Sequence, residues 1–545
     1  MRNITHTFLS PFVHNLLLLP LLVLFSCSSQ KGQEFDLVIK GNNIHHLDTT
    51  VDAQSIRWIA VKDGRIEGFG SQLSKAPKGK KEILIGDDHL YPGFIDAHGH
   101  IYGYAETLHT VSLFGTRSLE ECLERIRDFK AAHPEKEWII GRGWDQNDWT
   151  NSSYPTVNDL EEFEDKKIFL TRIDGHAAWV NQEVMDAFDI EVGAVIDGGT
   201  VLNGVLVDRA EELVELPKYT NAFWRKALLQ TQDSLVKYGI TALTDAGLHY
   251  EQILLLDSMI AEGTWKIAVN AMISNTEEDL SYFEAHGPVE KPLLRVKSVK
   301  AYLDGALGSR GALLRDPYHD LPQHYGLPLL SVAQLDTLRD RCLDQGWQLC
   351  VHAIGDSAHH VLLQSFDALD RTADLRFRVE HAQIMTPEDS AYYAHPNIVA
   401  SVQPTHATSD MYWAHERLGP HRITHAYSYK RILNASKRVA LGTDFPIEHI
   451  DPLATYFSAT TRKDKANWPE GGFMKSQALS PLQTLRGMTV DAAYSAFSEH
   501  EYGSIAKGQL ANFTVLNQDL LANDQPQQNE TTVVQTLLSG RVVYQ

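Results

Sequence analysis

Four histidines, a lysine and an aspartate stand in chain order, each at the close of a β-like run: His98 and His100 in FIDAHGH, Lys300 in VKAYLDG, His352 in QLCVHAIGD, His381 in FRVEHAQ and Asp444 in VALGTD. Imidazole and carboxylate are ligands that a divalent cation such as zinc accepts. His98 and His100 are separated by one residue, so on a strand both side chains point to one face and two rings can grip one ion. Alone, such a pair is as readily structural. His352 and His381 each end a separate strand, and singly each reads as a buried, hydrogen-bonded histidine. Four imidazoles on one barrel rim would otherwise each need a polar partner of its own, which a shared metal supplies.

Asp444 follows the apolar run VALGT, where a buried carboxylate calls for a cation or a proton-transfer role; a cap on the next helix is the competing reading. Lys300 divides more sharply. As an ammonium it repels a metal cluster, and a strand lysine paired with Asp304 is the plainer reading. Carboxylated by carbon dioxide, it becomes an anionic carbamate whose two oxygens can bridge two ions. In GRGWDQNDW, Trp144, Asp145 and Asn147 offer a stacking face and hydrogen-bonding groups for a substrate pocket, against the alternative of an aromatic anchor. His176, in DGHAAWVN, is read as a group that polarises a carbonyl or as a structural histidine.

These residues need strands that end at one rim. Eight strand-like runs alternate with helical patterns: FIDAH, GITALTDAG, IAVNAMIS, VKAYLDG, QLCVHAIG, FRVEHAQ, IVASVQPTH and VALGTD. Eight βα units close a parallel barrel. A block at about residues 101–226 interrupts the series after the first strand and reads as an insertion over the barrel mouth, including IFLTRID, which imitates a barrel strand. Residues 35–93 and 496–545 have the texture of short strands and turns, with Asp63-Gly64 as a hairpin signal, and suggest a small β-sandwich built from both chain ends. The barrel then occupies 94–495.

Of the 545 residues, 43 % are hydrophobic, enough for a sizeable core, and the formal charge of −21 argues against a nucleic-acid partner. The N-terminus is read apart from the fold. Arg2 precedes the apolar run Leu16 to Phe25, which is too short to span a bilayer. It ends in Leu24-Phe25-Ser26-Cys27, which resembles a bacterial lipobox. Residues 1–26 are thus expected to be a signal peptide and Cys27 a lipidated residue on a tether to residue 34, anchoring an exported protein at a membrane; an ordinary secretory signal is the alternative. Cys122, Cys342 and Cys350 show no disulfide or metal spacing, and Cys122 falls on an apolar helix face as a core thiol.

The motifs YPGFIDAHGH, GWDQNDW, DGHAAWVN, GITALTDAG, VKAYLDGALGSRGA, VHAIGD, RVEHAQ, LGTDFP and GSIAKGQLAN together resemble the amidohydrolase superfamily, in the amidohydrolase-3 branch that includes N-substituted formamide deformylase. The resemblance runs from about Phe35 to the C-terminus. It implies a divalent metal centre, two Zn2+ in the usual case, with His98 and His100 on the first ion and carboxylated Lys300 as the bridge. His352 and His381 would hold the second, and Asp444 would be ligand and proton shuttle. Departures are small: Leu510-Ala511-Asn512 stands for the usual L-A-D, and GSRGA for GSRTA. Asp245 and Arg310 recur in the motifs without an assigned role.

The expected activity is metal-dependent hydrolysis of a carbon–nitrogen bond in a small amide-type substrate, by an enzyme anchored to a membrane through lipid. An ester hydrolase or a deaminase of the superfamily is the alternative. The deaminases resemble a one-metal site with a glutamate three residues after the fifth-strand histidine, where this chain has Gly355. A catalytically silent surface binding protein would show a missing ligand, and none is missing. Oligomeric state is not legible in the sequence.

Overall fold

The computed structural model describes residues 34–47, 55–151, 153–173, 177–196, 199–522 and 528–545. His176, Cys27 and the expected signal peptide, and the side chain of Asn147, lie outside the described residues.

Eight parallel strands succeed one another around the central sheet: β1 Phe94–Gly99, β2 Ile240–Leu248, β3 Ala268–Ser274, β4 Leu294–Tyr302, β5 Gln348–Ala353, β6 Phe377–His381, β7 Ile398–Val402 and β8 Ala440–Leu441. All eight are segments recognised as strands in the sequence. Their visibility has a physical cause. Strands of an all-parallel sheet are covered on both faces and read as nearly continuous apolar runs, and β1, β5, β6 and β7 are buried along their whole length. The result is a TIM-like α/β barrel. A short strand, Val289–Lys291, adds antiparallel to β4.

Closure between β8 and β1 is made by the residues that carry chemistry. The Asp444 amide donates to the His98 carbonyl at 2.7 Å, and the His100 amide to the Phe445 carbonyl at 2.8 Å. The Asp96 carboxylate accepts from the His98 and Thr443 amides at 3.1 and 3.0 Å and from the Thr443 hydroxyl at 2.7 Å. The opposite end is plugged by small residues, Ala97, Ala242, Ala268 and Ala440 from four strands against Ala492 and Ala493 of the helix Val490–Ser495.

The insertion forms its own seven-stranded mixed sheet, from Val111–Ser112 to Val205–Asp208. Lys167–Arg172, the run that imitates a barrel strand, is one of its members. The helix Asn221–Lys237 then leads into β2. Cys122 is buried there and donates to Thr116 Oγ1.

The chain ends share one eight-stranded sheet. The N-terminal strands Phe35–Ile44, Ile56–Lys62, Arg65–Gly70, Gly79–Leu84 and His89–Pro92 are joined by Phe513–Leu516, Val533–Leu538 and Arg541–Tyr544, with His89–Pro92 pairing antiparallel to Phe513–Leu516. Leu37, Ile39, Ile59, Leu90, Phe513, Val515 and Leu537 form its common core. The Asp63-Gly64 turn has φ of 50° and 76°, the left-handed pair that a two-residue hairpin needs.

Candidate metal centre

The C-terminal ends of the barrel strands bring six sequence-predicted residues together. His98, His100, Lys300, His352, His381 and Asp444 all line one cavity of about 430 Å3. Strand register makes this possible. Tyr302 lies beside His352 and Ala353 beside His381, so successive strand ends deliver side chains to one rim. His381 and Asp444 sit just where strand geometry stops, with φ of 70° and 64°. Left-handed backbone is unusual outside glycine and recurs where function holds it in place.

His98 is fully buried. Its Nδ1 lies 2.5 Å from Glu380 Oε2, so Nδ1–H donates and the Nε2 lone pair faces the cavity. Glu380 is itself gripped by Arg378 through two bonds of 2.6 and 3.0 Å, and Arg378 also donates to the Ala97 carbonyl and Ser401 Oγ at 2.8 Å each. Burial pushes the Glu380 carboxyl up, but Arg378 and His98 outweigh it and hold it well below the usual range. His381 repeats the design: Nδ1 donates to Gln403 Oε1 at 2.8 Å, leaving Nε2 for the cavity.

Three of the imidazoles, His98, His352 and His381, are kept neutral, the state in which they can ligate. Burial, helped by Lys300, brings His98 down to about 4 and His352 to about 3. Burial together with His352 and His98 holds His381 well below its ordinary value. Asp444 behaves oppositely. Burial raises its carboxyl, but the hydrogen bond from His100 Nε2 at 3.2 Å leads the opposing contributions, which leave it well below the carboxylate range. Capping of the following helix Pro452–Thr461 falls to Asp451, whose carboxylate accepts from the Leu453 amide at 2.9 Å.

Lys300 is buried, with Nζ 3.3 Å from His98 Nε2 and over the Tyr302 ring at 4.8 Å. It does not pair with Asp304, which instead accepts the Leu313, Ile354 and Gly355 amides at 2.8, 3.0 and 2.8 Å and ties the loop after β4 to the end of β5. Burial lowers the Lys300 ammonium below its ordinary value, against the opposing pull of Glu380 and Asp444.

Donor atoms of His98, His381 and Asp444 lie within 4.8 Å of one another. On the helix Pro404–Asp410, a further histidine, His406, has Nε2 buried with no hydrogen bond among the described residues, 3.5 Å from Asp444 Oδ2. His98 and His381 aimed inward, an ionised carboxylate and the buried His406 nitrogen suit a divalent cation, whereas His352 Nε2 lies 3.4 Å from the Gly305 carbonyl. The chemistry of this donor set fits a divalent metal.

Trp144 is not in this cavity. It is fully buried in the inserted sheet, donates Nε1–H to the Leu170 carbonyl at 2.6 Å and packs on Trp149, Tyr154 and Trp179. The expected stacking face is thus spent on the insertion's own core, because an indole at the end of the strand Trp138–Trp144 finds three aromatic neighbours there. Asp145 pairs with Arg172 at 2.5 Å. Tyr302, Leu307, Ile354, Trp413 and Ile447 supply the apolar walls instead. Asp245 accepts the Ile101 amide at 2.7 Å and so fixes the turn after His100, and Arg310 pairs with Asp320 at 2.7 Å.

Sequence reading passed over His406, Glu380 and Arg378. Each left a trace: His406 closes the run IVASVQPTH, and two opposite charges inside the buried strand FRVEH are out of place unless they satisfy each other.

The profile of the amidohydrolase family matches residues 86–544. The chain belongs to that family. It is 28 % identical over 507 residues to the protein YtcJ of Bacillus subtilis, covering 89 % of this chain and 96 % of the relative. It is 24 % identical to N-substituted formamide deformylase of Arthrobacter pascens, covering 94 % of this chain and 98 % of the relative. Among solved structures, an uncharacterized metal-dependent hydrolase from Pyrococcus horikoshii OT3 superposes with a TM-score of 0.77 at 24 % identity, covering 90 % of this chain and 99 % of the other.

Proposed function

We propose that this protein is a metal-dependent hydrolase that cleaves a carbon–nitrogen bond of a small amide-type substrate. The observation that carries this reading is the convergence of neutral imidazoles, held Nε2-inward by Glu380 and Gln403, on the Asp444 carboxylate. His98, His100, His352, His381 and Asp444 would hold divalent metal, zinc in the reading that the family favours, with Lys300 as a carbamate between two ions. Burial, which lowers the Lys300 ammonium below its ordinary value, works toward the neutral amine, the form that attacks carbon dioxide. Bound divalent metal would acidify water and polarise the scissile carbonyl.

The protein's own groups supply the rest. Asp444 is ionised at neutral pH, 3.2 Å from His100, and is placed to take the proton of the attacking water and return it to the departing nitrogen. The Arg378–Glu380 pair keeps His98 in one tautomer throughout. Tyr302, Trp413 and Ile447 form an apolar wall suited to the substituent on the amide nitrogen, and the cavity volume of about 430 Å3 is that of a small-molecule site. The Arthrobacter relative, named for deformylating N-substituted formamides, suggests N-formyl and N-acyl amines as the first compounds to try. His176 remains a candidate carbonyl-polarising group.

A deaminase reading fares worse. A Cβ at Gly355 would lie 2.1 Å from the Leu313 carbonyl oxygen, so that position has no room for a glutamate. We further propose that the lipobox-like segment directs lipidation of Cys27 and holds the enzyme at the periplasmic or extracellular face of a membrane. Among the described residues no helix is long and apolar enough to cross one.

A panel of amides, esters and aminated ring compounds, assayed with and without chelator, tests the assignment. Chelator-sensitive amide turnover is expected. Turnover confined to ring deamination would replace the proposal with the deaminase reading.

A further inference from the structure

A second cluster of metal-binding groups lies on the sheet shared by the chain ends. His45, which follows the strand Phe35–Ile44, and His89, the first residue of the strand His89–Pro92, stack with ring centres 5.3 Å apart and bring His45 Nε2 to 3.1 Å from His89 Nδ1. Asp519, just beyond the strand Phe513–Leu516, places Oδ1 at 3.6 Å from the same His45 nitrogen. Donor atoms of the three residues lie within 4.8 Å of one another.

The surroundings orient these groups as a metal site would require. Asp519 Oδ1 accepts the Tyr91 hydroxyl at 2.9 Å and the Leu521 amide at 2.8 Å, and the Leu520 amide donates back to the Tyr91 oxygen at 2.8 Å. Tyr91 also stacks on His45 with ring centres 4.5 Å apart, holding the plane of that ring. Among the described residues Asp519 Oδ2 takes no hydrogen bond, and neither a lysine nor an arginine pairs with this carboxylate. Burial lowers His45 toward the neutral imidazole, opposed by Asp519. Nitrogen ligands at zinc distances of 2.0–2.1 Å in a tetrahedron stand roughly 3.4 Å apart, near the 3.1 Å between His45 Nε2 and His89 Nδ1.

We infer that His45, His89 and Asp519 form a second, non-catalytic site for a zinc-like divalent cation. Two ligands come from the N-terminal part of the sheet and one from the C-terminal part, so an ion here clips the two ends of the chain together. A half-buried position leaves room for a water as fourth ligand. The same 3.1 Å is also the length of an imidazole-to-imidazole hydrogen bond, and metal counting separates the two.

The full-length protein, stripped with chelator, reloaded with Zn2+ and desalted, should hold about one more zinc per chain than His89→Ala or Asp519→Asn treated alike, while turnover of the three is the same. Zinc should also raise the Tm of the wild type by more than that of His89→Ala. Equal zinc content in wild type and both variants would overturn the inference. Should the variants fail to fold, wild-type crystals soaked in Co2+ and measured at the cobalt edge give the answer: an anomalous peak between His45, His89 and Asp519 is expected, and its absence overturns the site.

Discussion

At the residue scale, Lys300 is where two accounts of the site diverge most. An ammonium 3.3 Å from His98 Nε2 would oppose a cation, whereas a carbamate would attract two. If the carbamate reading holds, Lys300→Ala should lose at least one metal and nearly all turnover while remaining folded. Acetate with added metal should restore part of the activity by supplying the missing anionic bridge. Lys300→Arg should stay inactive under the same treatment, because guanidinium remains cationic. Normal metal content and turnover in Lys300→Ala would make the lysine structural. The candidate ligands were legible in the sequence because imidazoles and a carboxylate at successive strand ends have few other uses. Their supports were not: the contacts of Glu380 to His98, Gln403 to His381 and His406 to Asp444 cross from one strand or helix to another, and only the closed barrel brings them within reach.

At the scale of elements, the eight barrel strands were legible because most are buried, largely apolar runs that alternate with helical patterns. The insertion was harder to read. Its strand Lys167–Arg172 has the same apolar pattern as a barrel strand, and what assigns it elsewhere is pairing with Trp138–Trp144 and Ala177–Val180. Trp144 shows the same limit, since an aromatic in a polar motif reads as a ligand platform until its neighbours are known. Trp144→Ala should therefore act on stability. Removing a fully buried indole costs about 3–5 kcal/mol, so thermal unfolding should shift well down while the KM of the surviving folded enzyme changes little. A large KM change at unaltered stability would return Trp144 to the substrate.

The helix beneath the barrel supplies a pH-dependent term. Burial lifts the Asp491 carboxyl to about 6, against the pull of Arg486 and Arg438. A carboxyl raised in the folded state favours folding while protonated. Its contribution is fully present below the unfolded value of 3.8 and is lost as pH rises through about 6. The Tm of Asp491→Asn, relative to wild type, should thus move in the variant's favour between pH 4 and pH 7. A difference that is flat across this window would show that Asp491 titrates alike in both states.

At the scale of the whole molecule, one chain joins a barrel whose strand ends gather the candidate ligands, a sheet inserted in the chain after β1 and a sheet built from both ends. The N-terminal segment adds a question of place. If Cys27 is lipidated, the wild type should partition with membranes and leave them in detergent, and Cys27→Ser should appear in the soluble or precursor pool. An unchanged distribution, with no added acyl mass on the wild type, would remove the anchor from the account.

The central claim is that the His98, His100, Lys300, His352, His381 and Asp444 cluster is a metal centre that hydrolyses amides. Titrating the chelator-stripped enzyme with Zn2+ while following release of amine from an N-formyl or N-acyl amine tests it most directly. Turnover should be near zero without metal and should climb with occupancy until the barrel site is filled. Undiminished amide turnover in the metal-free protein would contradict it.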